Sequence, residues 1–470
     1  MTDTLLSLED VLTSCGGVHV LGTGDFCFTD VQTDSRNVTD GTLFVPLIGE
    51  KQDGHLYVPQ ALEKGASAVL ISFNSFETEG ARYAELSRTN PRVFFVAVEN
   101  TLTALQKIAG RYVEKFPELI KIGVTGSSGK TTTKEMLCSV LSQRYSVISN
   151  KGNLNSETGL PLSVFSIKSG HKVGIFEMGM NRKDEIKEIA GVLKPRFAVV
   201  TNIGTAHIGI LGSRENIAAE KAHVFDYINN FGTAVIPNDD DFTEYLASQV
   251  AGNVVYYGQG QPENVRLSAE RGLEGTDFYI GDVPVHLALP GSYNYKNTLA
   301  AVTLAQVMGL TPEEIKRGVE SCKSLFGRSE IIHGYYTVVK DCYNANPDSM
   351  EKALEFILSV KTDVRKFLVL GDMLELGSDS QMAHSNIGST ASEAEDAFCI
   401  FVGIQMKFAY DACSCRNKVY FEGRSDEAMT KIVKYVKENG SKGDIVLVKG
   451  SRGMALERVA DVLLKEVSDA

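Results

Sequence analysis

Residues 123–133 read Gly-Val-Thr-Gly-Ser-Ser-Gly-Lys-Thr-Thr-Thr, and this stretch decides the fold. The apolar run Ile120, Ile122 and Val124 predicts a strand that feeds a glycine loop. Lys130 opens a segment that predicts a helix through Leu141. A strand, a glycine-rich turn and a helix N-terminus make an anion cradle, because successive backbone N–H groups and the positive end of the helix dipole converge. In such loops the backbone takes phosphate oxygens, the lysine reaches the β- and γ-phosphates, and the next hydroxyl holds Mg²⁺. The strict G-x-x-x-x-G-K-[ST] pattern nevertheless fails. Val124 stands where its first glycine belongs, and the glycine of the tight turn is Gly126.

The chain around this loop divides into three blocks. Residues 1–115 mix strand signals at 43–47, 68–71 and 93–98 with helical ones at 57–64 and 102–116. Residues 116–326 alternate strands at 146–148, 173–177, 197–201 and 233–236 with helices, which implies a mostly parallel sheet covered by helices. Residues 254–289 carry shorter alternating runs and turns, expected as an antiparallel patch on the same domain. Residues 327–470 restart the alternation at 337–340, 367–370, 398–402, 419–421 and 445–449, a second open α/β unit. The expected fold is therefore α/β with three domains. A small α/β domain comes first, then a central phosphate-loop domain with a mostly parallel sheet, then a C-terminal Rossmann-like domain.

At 470 residues, two or three domains are the natural expectation. The net charge of −12, from 47 basic and 59 acidic residues, argues against a nucleic-acid binder. No apolar run reaches membrane-spanning length, and no basic, apolar leader opens the chain. Eight cysteines lack paired metal spacing. The one close pair, Cys413-Ser-Cys415, is expected as reduced thiols in a surface segment, which fits a cytoplasmic compartment.

Further candidates follow the strands, because ligands of open α/β sheets gather at the carboxyl ends of strands. The loop Asn150-Lys-Gly-Asn-Leu-Asn155 is rich in turn residues and lies after the second strand of the central block. Glu177 ends a strand, where a carboxylate facing a phosphate loop can hold Mg²⁺, although a capping or solvated glutamate reads the same locally. Thr201-Asn-Ile-Gly-Thr-Ala-His207 closes the next strand. Lys221 lies on a helix and by itself reads as a solvated face. In Gly291-Ser-Tyr-Asn-Tyr-Lys-Asn297, Asn294 is placed to cap a helix, and its amide also suits adenine. Arg328 sits at the expected boundary, where an arginine can reach phosphates when domains close, or form a surface ion pair. In Asp341-Cys-Tyr-Asn-Ala-Asn-Pro-Asp-Ser-Met350, Tyr343 offers a stacking face and Asp341 an acceptor for ribose hydroxyls. Lys449-Gly-Ser-Arg452 follows a strand and precedes a helix, so its N–H groups are expected to receive a carboxylate.

Taken together, these residues resemble the Mur ligase family, ATP-dependent amide-bond ligases of peptidoglycan precursor synthesis. The family loop T-G-[ST]-x-G-K-[ST]-[ST] matches Thr125–Thr132 and accounts for the missing first glycine. Thr33-Asp-Ser-Arg36, Gly41-Thr-Leu-Phe44 and Asp53-Gly-His55 look like the uridine-binding N-terminal domain of two members. The 341–350 segment, Gly371-Asp-Met-Leu-Glu-Leu-Gly377 with His384, and the lack of Asp-Asn-Pro-Arg resemble the member that adds the final dipeptide. Two departures stand out: Tyr293 replaces the histidine of G-x-H-N, and Ser156 replaces an asparagine.

The resemblance implies a reaction of ATP, UDP-N-acetylmuramoyl-tripeptide and D-alanyl-D-alanine through an acyl phosphate, with Mg²⁺. It implies Thr125, Gly126, Ser127, Ser128, Gly129, Lys130, Thr131 and Thr132 on the phosphates, with Lys130, His207 and Lys221 as catalytic residues. Thr131, Glu177, His207 and a carbamylated Lys221 would hold metal. Asn294, Asn297, Arg328, Asp341 and Tyr343 would bind ATP, and Ser35, Arg36, Asn153, Asn155 and Arg452 the other substrates. It further implies a monomer whose C-terminal domain closes on ligand binding. The competing readings are the third-amino-acid ligase of the same family and a phosphate-loop NTPase that is no ligase.

Overall fold

A computed structural model describes residues 4–23, 27–49, 52–394 and 396–465. The first sheet contains β1 (Val18–Leu21), β2 (Asp30–Gln32), β3 (Thr42–Phe44), β4 (Ala66–Ser72) and β5 (Phe94–Val98), in the order β1-β5-β4-β3-β2. Only β1 runs antiparallel to its neighbour. Every residue of β4 and β5 is buried, as expected of strands covered on both faces. Helix α1 (Phe73–Thr89) follows β4 without an apolar stripe to signal it; its polar sequence buries only Ser75 and Tyr83. Helix α2 (Thr101–Glu114) starts where Asn100 Oδ1 accepts the N–H of Thr103 at 2.9 Å.

The central sheet holds β6 (Ile120–Thr125), β7 (Val147–Ser149), β8 (Val173–Glu177), β9 (Phe197–Val200), β10 (Thr233–Pro237) and β11 (Asn253–Tyr257), in the order β11-β10-β9-β6-β8-β7. β7 with β8, and β10 with β11, are parallel pairs. β11 corrects the expectation for 254–289: its residues extend the parallel sheet instead of joining the antiparallel patch. Buried Tyr257 explains this, since its hydroxyl donates to the carbonyls of Val200 and Thr201 at 3.0 and 2.8 Å. The patch itself is β12 (Val265–Glu270), β13 (Thr276–Ile280) and β14 (Val283–Leu287), antiparallel throughout.

The C-terminal sheet contains β15 (Glu330–His333), β16 (Thr337–Asp341), β17 (Lys366–Gly371), β18 (Phe398–Val402), β19 (Asn417–Phe421) and β20 (Ile445–Lys449). Their order is β15-β16-β20-β17-β18-β19, with β15 alone antiparallel. Separate apolar clusters cover its two faces, one with Met350, Leu354 and Ile357, the other with Ile432, Val436 and Leu463. Cys413 and Cys415 are buried, against the expectation of a surface segment, because the chain between helix and strand folds back onto the first of these cores.

Contacts group the chain into two compact units. One is Met1–Gly123, Tyr145–Ala198 and His223–Gly232; the other is Val124–Arg144, Val199–Ala222 and Thr233–Ala470. Neither divides at 115 or 326. Among the described residues, no helix is long and apolar enough to cross a membrane.

Within the second unit, helix α3 (Lys130–Leu141) carries the phosphate loop at its N-terminus and packs against α5 (Ser292–Val307) and α6 (Pro312–Ser321); α4 (Arg214–Ala222) lies between them in sequence. The α3–α6 contact is backbone-close: a Cβ on Gly318 would lie 2.3 Å from Val140 Cα. Gly318→Ala must therefore push α6 off the helix that supports the phosphate loop. We expect a lower midpoint of thermal unfolding, corresponding to a loss of about 1–3 kcal/mol. A variant that melts like the parent would show that the contact is not close in solution.

Candidate active site

The loop after β6 is shaped by contact with the chain that follows β9. Gly126 has φ +149°, and a Cβ there would lie 1.8 Å from Thr201 Oγ1. Gly129 has φ +79°, and a Cβ there would lie 2.4 Å from Asn297 Oδ1. Both glycines are thus required by conformation and by space. Ser127 N donates to the Asn202 carbonyl at 3.0 Å, and Ser128 N to Asn202 Oδ1 at 2.9 Å. In return Gly204 N donates to Ser127 Oγ at 2.9 Å, and Thr201 Oγ1 donates to the Ser128 carbonyl at 2.5 Å. Asn202 is an anchor that nothing in the strand-end sequence marks out. Lys130 opens α3 and donates through Nζ to the Gly126 carbonyl at 2.8 Å, so its ammonium lies within the loop. Thr125 and Thr131 are buried and Thr132 is half-buried.

Lys130, His207 and Lys221 come together as an electrostatic cluster. Lys221 on α4 is only 1% exposed, which removes the solvated-face reading. Burial, reinforced by Lys130, pushes its ammonium well below the usual lysine range. Burial also pushes the His207 imidazole down to about 3, with Lys130 and Lys221 acting in the same direction. His207 Nδ1 lies 3.4 Å from Glu375 Oε2, yet it makes no hydrogen bond. A ring held neutral forms no ion pair, so this contact is a proximity and not a salt bridge.

Glu177 ends β8 at 3% exposure, inside the first unit. Asn150 fixes its backbone: Asn150 Oδ1 accepts Glu177 N at 2.9 Å, and Asn150 Nδ2 donates to the Glu177 carbonyl at 2.9 Å. Asn155 Nδ2 donates to Glu177 Oε1 at 2.7 Å and orients the carboxylate. Asn150 is therefore a supporting residue that its loop-like sequence context conceals. Asn153 is exposed, and Ser156 accepts the Gly159 N–H at 3.2 Å. Ser35 is buried and donates to Gln60 Oε1 at 2.6 Å; Arg36 is exposed and pairs with Asp34 at 2.7 Å.

The candidates near the C-terminal sheet form linked pairs. The Arg328 guanidinium stacks 4.1 Å from the Tyr343 ring centre, which covers the face expected to receive a base. Asp341 Oδ2 accepts from Lys449 Nζ at 2.6 Å, and Oδ1 accepts Ser329 N at 3.2 Å. Lys449, which in the sequence only opens a loop, is buried and holds this carboxylate. Asn294 does not cap α5: the cap is Gly291, and Asn294 Nδ2 instead donates to the Pro290 carbonyl at 2.7 Å. Tyr293, the departure from the family motif, shares a hydrogen bond with Ser329 Oγ at 2.8 Å and meets Phe356 edge-on. Arg452 pairs with Glu457 at 2.9 Å. Ser451 N is not available to a carboxylate, since it donates to the Asp372 carbonyl at 3.1 Å. Thr205 gives both N and Oγ1 to Asp348 Oδ2, at 2.7 and 2.9 Å.

A phosphate loop on a mostly parallel sheet, with Lys130 in the loop and two buried basic side chains beside it, defines an α/β phosphate-loop protein. Comparison with known proteins narrows this. Residues 28–113 match the Mur ligase family catalytic domain, 124–305 the Mur ligase middle domain, and 327–452 the Mur ligase glutamate ligase domain. The chain is 41% identical over 469 residues to a UDP-N-acetylmuramoyl-tripeptide–D-alanyl-D-alanine ligase of Treponema pallidum, covering 98% of this chain and 100% of that one. It is 34% identical to the Bacillus subtilis ligase of the same name, covering 93% of each. The structure matches MurF from Acinetobacter baumannii at TM-score 0.86 and 27% identity, covering 98% of this chain and all of that one. It matches the Thermotoga maritima MurF ligase in complex with ADP at 0.78 and 27%, covering 93% and 98%. The chain belongs to the Mur ligase family, and its fold is the three-domain α/β fold with a mostly parallel central sheet.

The neutral His207 has a consequence in acid. An unfolded histidine titrates near 6.5 and the folded ring at about 3, so the unfolded state binds more protons between these values. Stability contributed by this group is full above about pH 6.5 and is lost as pH falls towards about 3. We expect His207→Gln to lose less stability than the parent over that window. The folded parent's His207 ring should remain neutral by NMR at pH 5; a ring titrating near 6.5 would contradict this.

Proposed function

We propose that this chain joins D-alanyl-D-alanine to UDP-N-acetylmuramoyl-tripeptide with hydrolysis of ATP to ADP and phosphate, a carbon–nitrogen ligase step of peptidoglycan precursor synthesis. The observation that carries the chemistry is the convergence of Lys130, His207 and Lys221 at the phosphate loop. The choice of carboxylate and amine rests on the names of the relatives and on the 341–350 segment. We further propose a cytoplasmic monomer with domains 1–115, 116–326 and 327–470, the first binding the UDP moiety and the second ATP.

A carboxylate is a poor acyl donor because oxide leaves badly. Transfer of the γ-phosphoryl group to the tripeptide carboxylate makes an acyl phosphate; the dipeptide amine attacks it, and phosphate leaves as the amide forms. Each step brings anions together, so the chain must offset negative charge and hold the reactants in line. Lys130 exchanges the Gly126 carbonyl for β- and γ-phosphate oxygens, while Thr125–Thr132 supply N–H and hydroxyl groups. Arg328 reaches the phosphates by leaving Tyr343, which uncovers that ring for the nucleoside beside Asp341; Asn297 and the remaining carbonyl of Asn294 face adenine. Ser35 and Arg36 lie near UDP, Asn153 and Asn155 near the sugar-peptide, and Arg452 meets the dipeptide carboxylate.

The donor set fits Mg²⁺ in part as it stands. Thr131 and Glu177 offer the hard oxygens that this ion takes, whereas the amine of Lys221 does not. Burial lowers the basicity of Lys221 and so favours its amine form, which is nucleophilic towards CO₂; the resulting carbamate, formed with loss of one proton, is an oxygen ligand. Thr131 and Glu177 would hold one Mg²⁺ and His207 would help hold a second, with carbamylated Lys221 as a further ligand; when bound, the metal supplies positive charge at the phosphates.

Phosphate release should require UDP-N-acetylmuramoyl-tripeptide and D-alanyl-D-alanine together, and Lys130→Ala should reduce it by about 10²-fold or more. Turnover with a single amino acid in place of the dipeptide would overturn the assignment. Lys221→Ala should regain activity with added short-chain carboxylic acids, whereas Lys130→Ala should not. No difference in response between the two would remove the carbamate.

A further inference from the structure

Three cysteines lie outside everything assigned above. Cys399, Cys413 and Cys415 are 0, 2 and 6% exposed, and their sulfurs all lie within 4.8 Å of one another. Cys399 is the second residue of β18, the strand beside the edge strand β19; Cys413 ends the helix Met406–Ala412, and Cys415 lies just before β19. Cys399 and Cys415 are 3.6 Å apart, and the Cys415 thiol donates to the Ala391 carbonyl at 3.1 Å. Two short-range ligands on a hairpin-like connection and a third on a rigid strand form a preorganised set.

We propose that this triad binds one soft d¹⁰ cation, Cu⁺, as a trigonal tris-thiolate site. Metal–sulfur bonds of about 2.3 Å place three sulfurs about 4 Å apart, which the observed spacing meets with little movement. Among the described residues no histidine, aspartate, glutamate or further cysteine joins the cluster. A tetrahedral Zn²⁺ site therefore lacks its fourth protein ligand, whereas soft thiolates and three-coordination suit Cu⁺. The site also carries charge compensation. Lys418 Nζ donates to the Tyr410 and Cys413 carbonyls, which puts an ammonium beside thiolates that would otherwise be costly to bury. Cys413 is held below the usual thiol range, chiefly by the neighbouring Cys399, while Cys399 and Cys415 are pushed above it. Binding exchanges three S–H protons, released to solvent, for one Cu⁺, with no change of oxidation state. Ala412, Ser414 and Arg416 alternate with the two loop cysteines and are exposed, so one layer of chain separates the site from solvent.

The test is anaerobic titration of the full-length, reduced chain with Cu⁺ against a competing chelator, followed by native mass spectrometry. The parent and Cys27→Ser, which removes an exposed thiol elsewhere, should each bind one Cu⁺. Cys413→Ser and Cys415→Ser should each weaken binding at least tenfold, with circular dichroism unchanged. Copper X-ray absorption on the parent alone should count three sulfur neighbours, a readout that does not depend on any variant folding. The proposal is overturned by the absence of one-to-one binding, by undiminished binding in both variants, by nitrogen or oxygen neighbours, or by preferred uptake of Zn²⁺. A Cys399–Cys415 disulfide in the freshly purified chain that excludes the ion would overturn it as well.

Discussion

Gly126 and Thr201 approach so closely that one added methyl group would overlap the threonine hydroxyl. That approach fixes where the phosphate loop can lie, because further hydrogen bonds tie residues 127 and 128 to residues 201–204. The loop is thus shaped before any anion arrives. Its N–H groups need no rearrangement to converge, and little conformational entropy remains to be lost on binding. The same seam sets the path of the chain into His207 and, through Thr205, its bond to Asp348. Substitution at Gly126 would therefore disturb the whole second half of the site and not the loop alone.

The second constraint is electrostatic. Burying Lys221 and His207 beside Lys130 disfavours their charged forms, and the fold tolerates this only by keeping the ring neutral and the buried amine far from its ordinary basicity. An unliganded site of this kind disfavours protonation of its own basic groups, and an arriving anion would relieve that. That is the polarity a phosphoryl transfer to a carboxylate requires. It also gives the three basic groups different roles. Under the proposed assignment the ammonium within the loop would meet phosphate, while a neutral imidazole and a less basic amine would serve metal ligation.

Much of this is legible in the sequence, and the boundary of legibility has physical causes. Strands buried on both faces, such as Val173–Glu177, Phe398–Val402 and Ile445–Lys449, read as apolar runs and fall where expected. Asn253–Tyr257 falls elsewhere than its pattern suggests, because its edge position depends on one distant contact, the Tyr257 hydroxyl on the end of β9. The loop, Glu177 and His207 are singled out by motif and strand-end position, and Lys221 only by the family resemblance. Asn150, Asn202 and Lys449 are not, because they act through bonds to residues 27, 74 and 108 positions away in the chain. A polar side chain in a loop carries no local mark of what it holds. The triad of cysteines is hidden for the same reason: Cys413-Ser-Cys415 looks superficial until Cys399 is seen beneath it.

The pairs near the C-terminal sheet show how ligand binding can be coupled to rearrangement without a separate switch. Arg328 rests on Tyr343, Lys449 on Asp341, and Asp348 on Thr205. In each pair, one partner is a group that a nucleotide would otherwise engage, or that lies beside one. A phosphate competes with the Tyr343 ring for Arg328, and a cation–π contact of about 0.5–2 kcal/mol is weaker than a charge-assisted bidentate bond to phosphate. If Arg328 takes a phosphate as proposed, the exchange is favourable and would uncover the aromatic face for a base. Asp348 responds in the opposite sense. Its carboxylate takes the Thr205 N–H and hydroxyl next to Gly204, whose own N–H is held by Ser127 of the loop. Negative charge arriving at the loop raises the energy of that carboxylate and weakens its hold. Under the proposed assignment one ligand would therefore draw Arg328 off Tyr343 and loosen the hold of Asp348 on Thr205, two contacts that lie within the same compact unit.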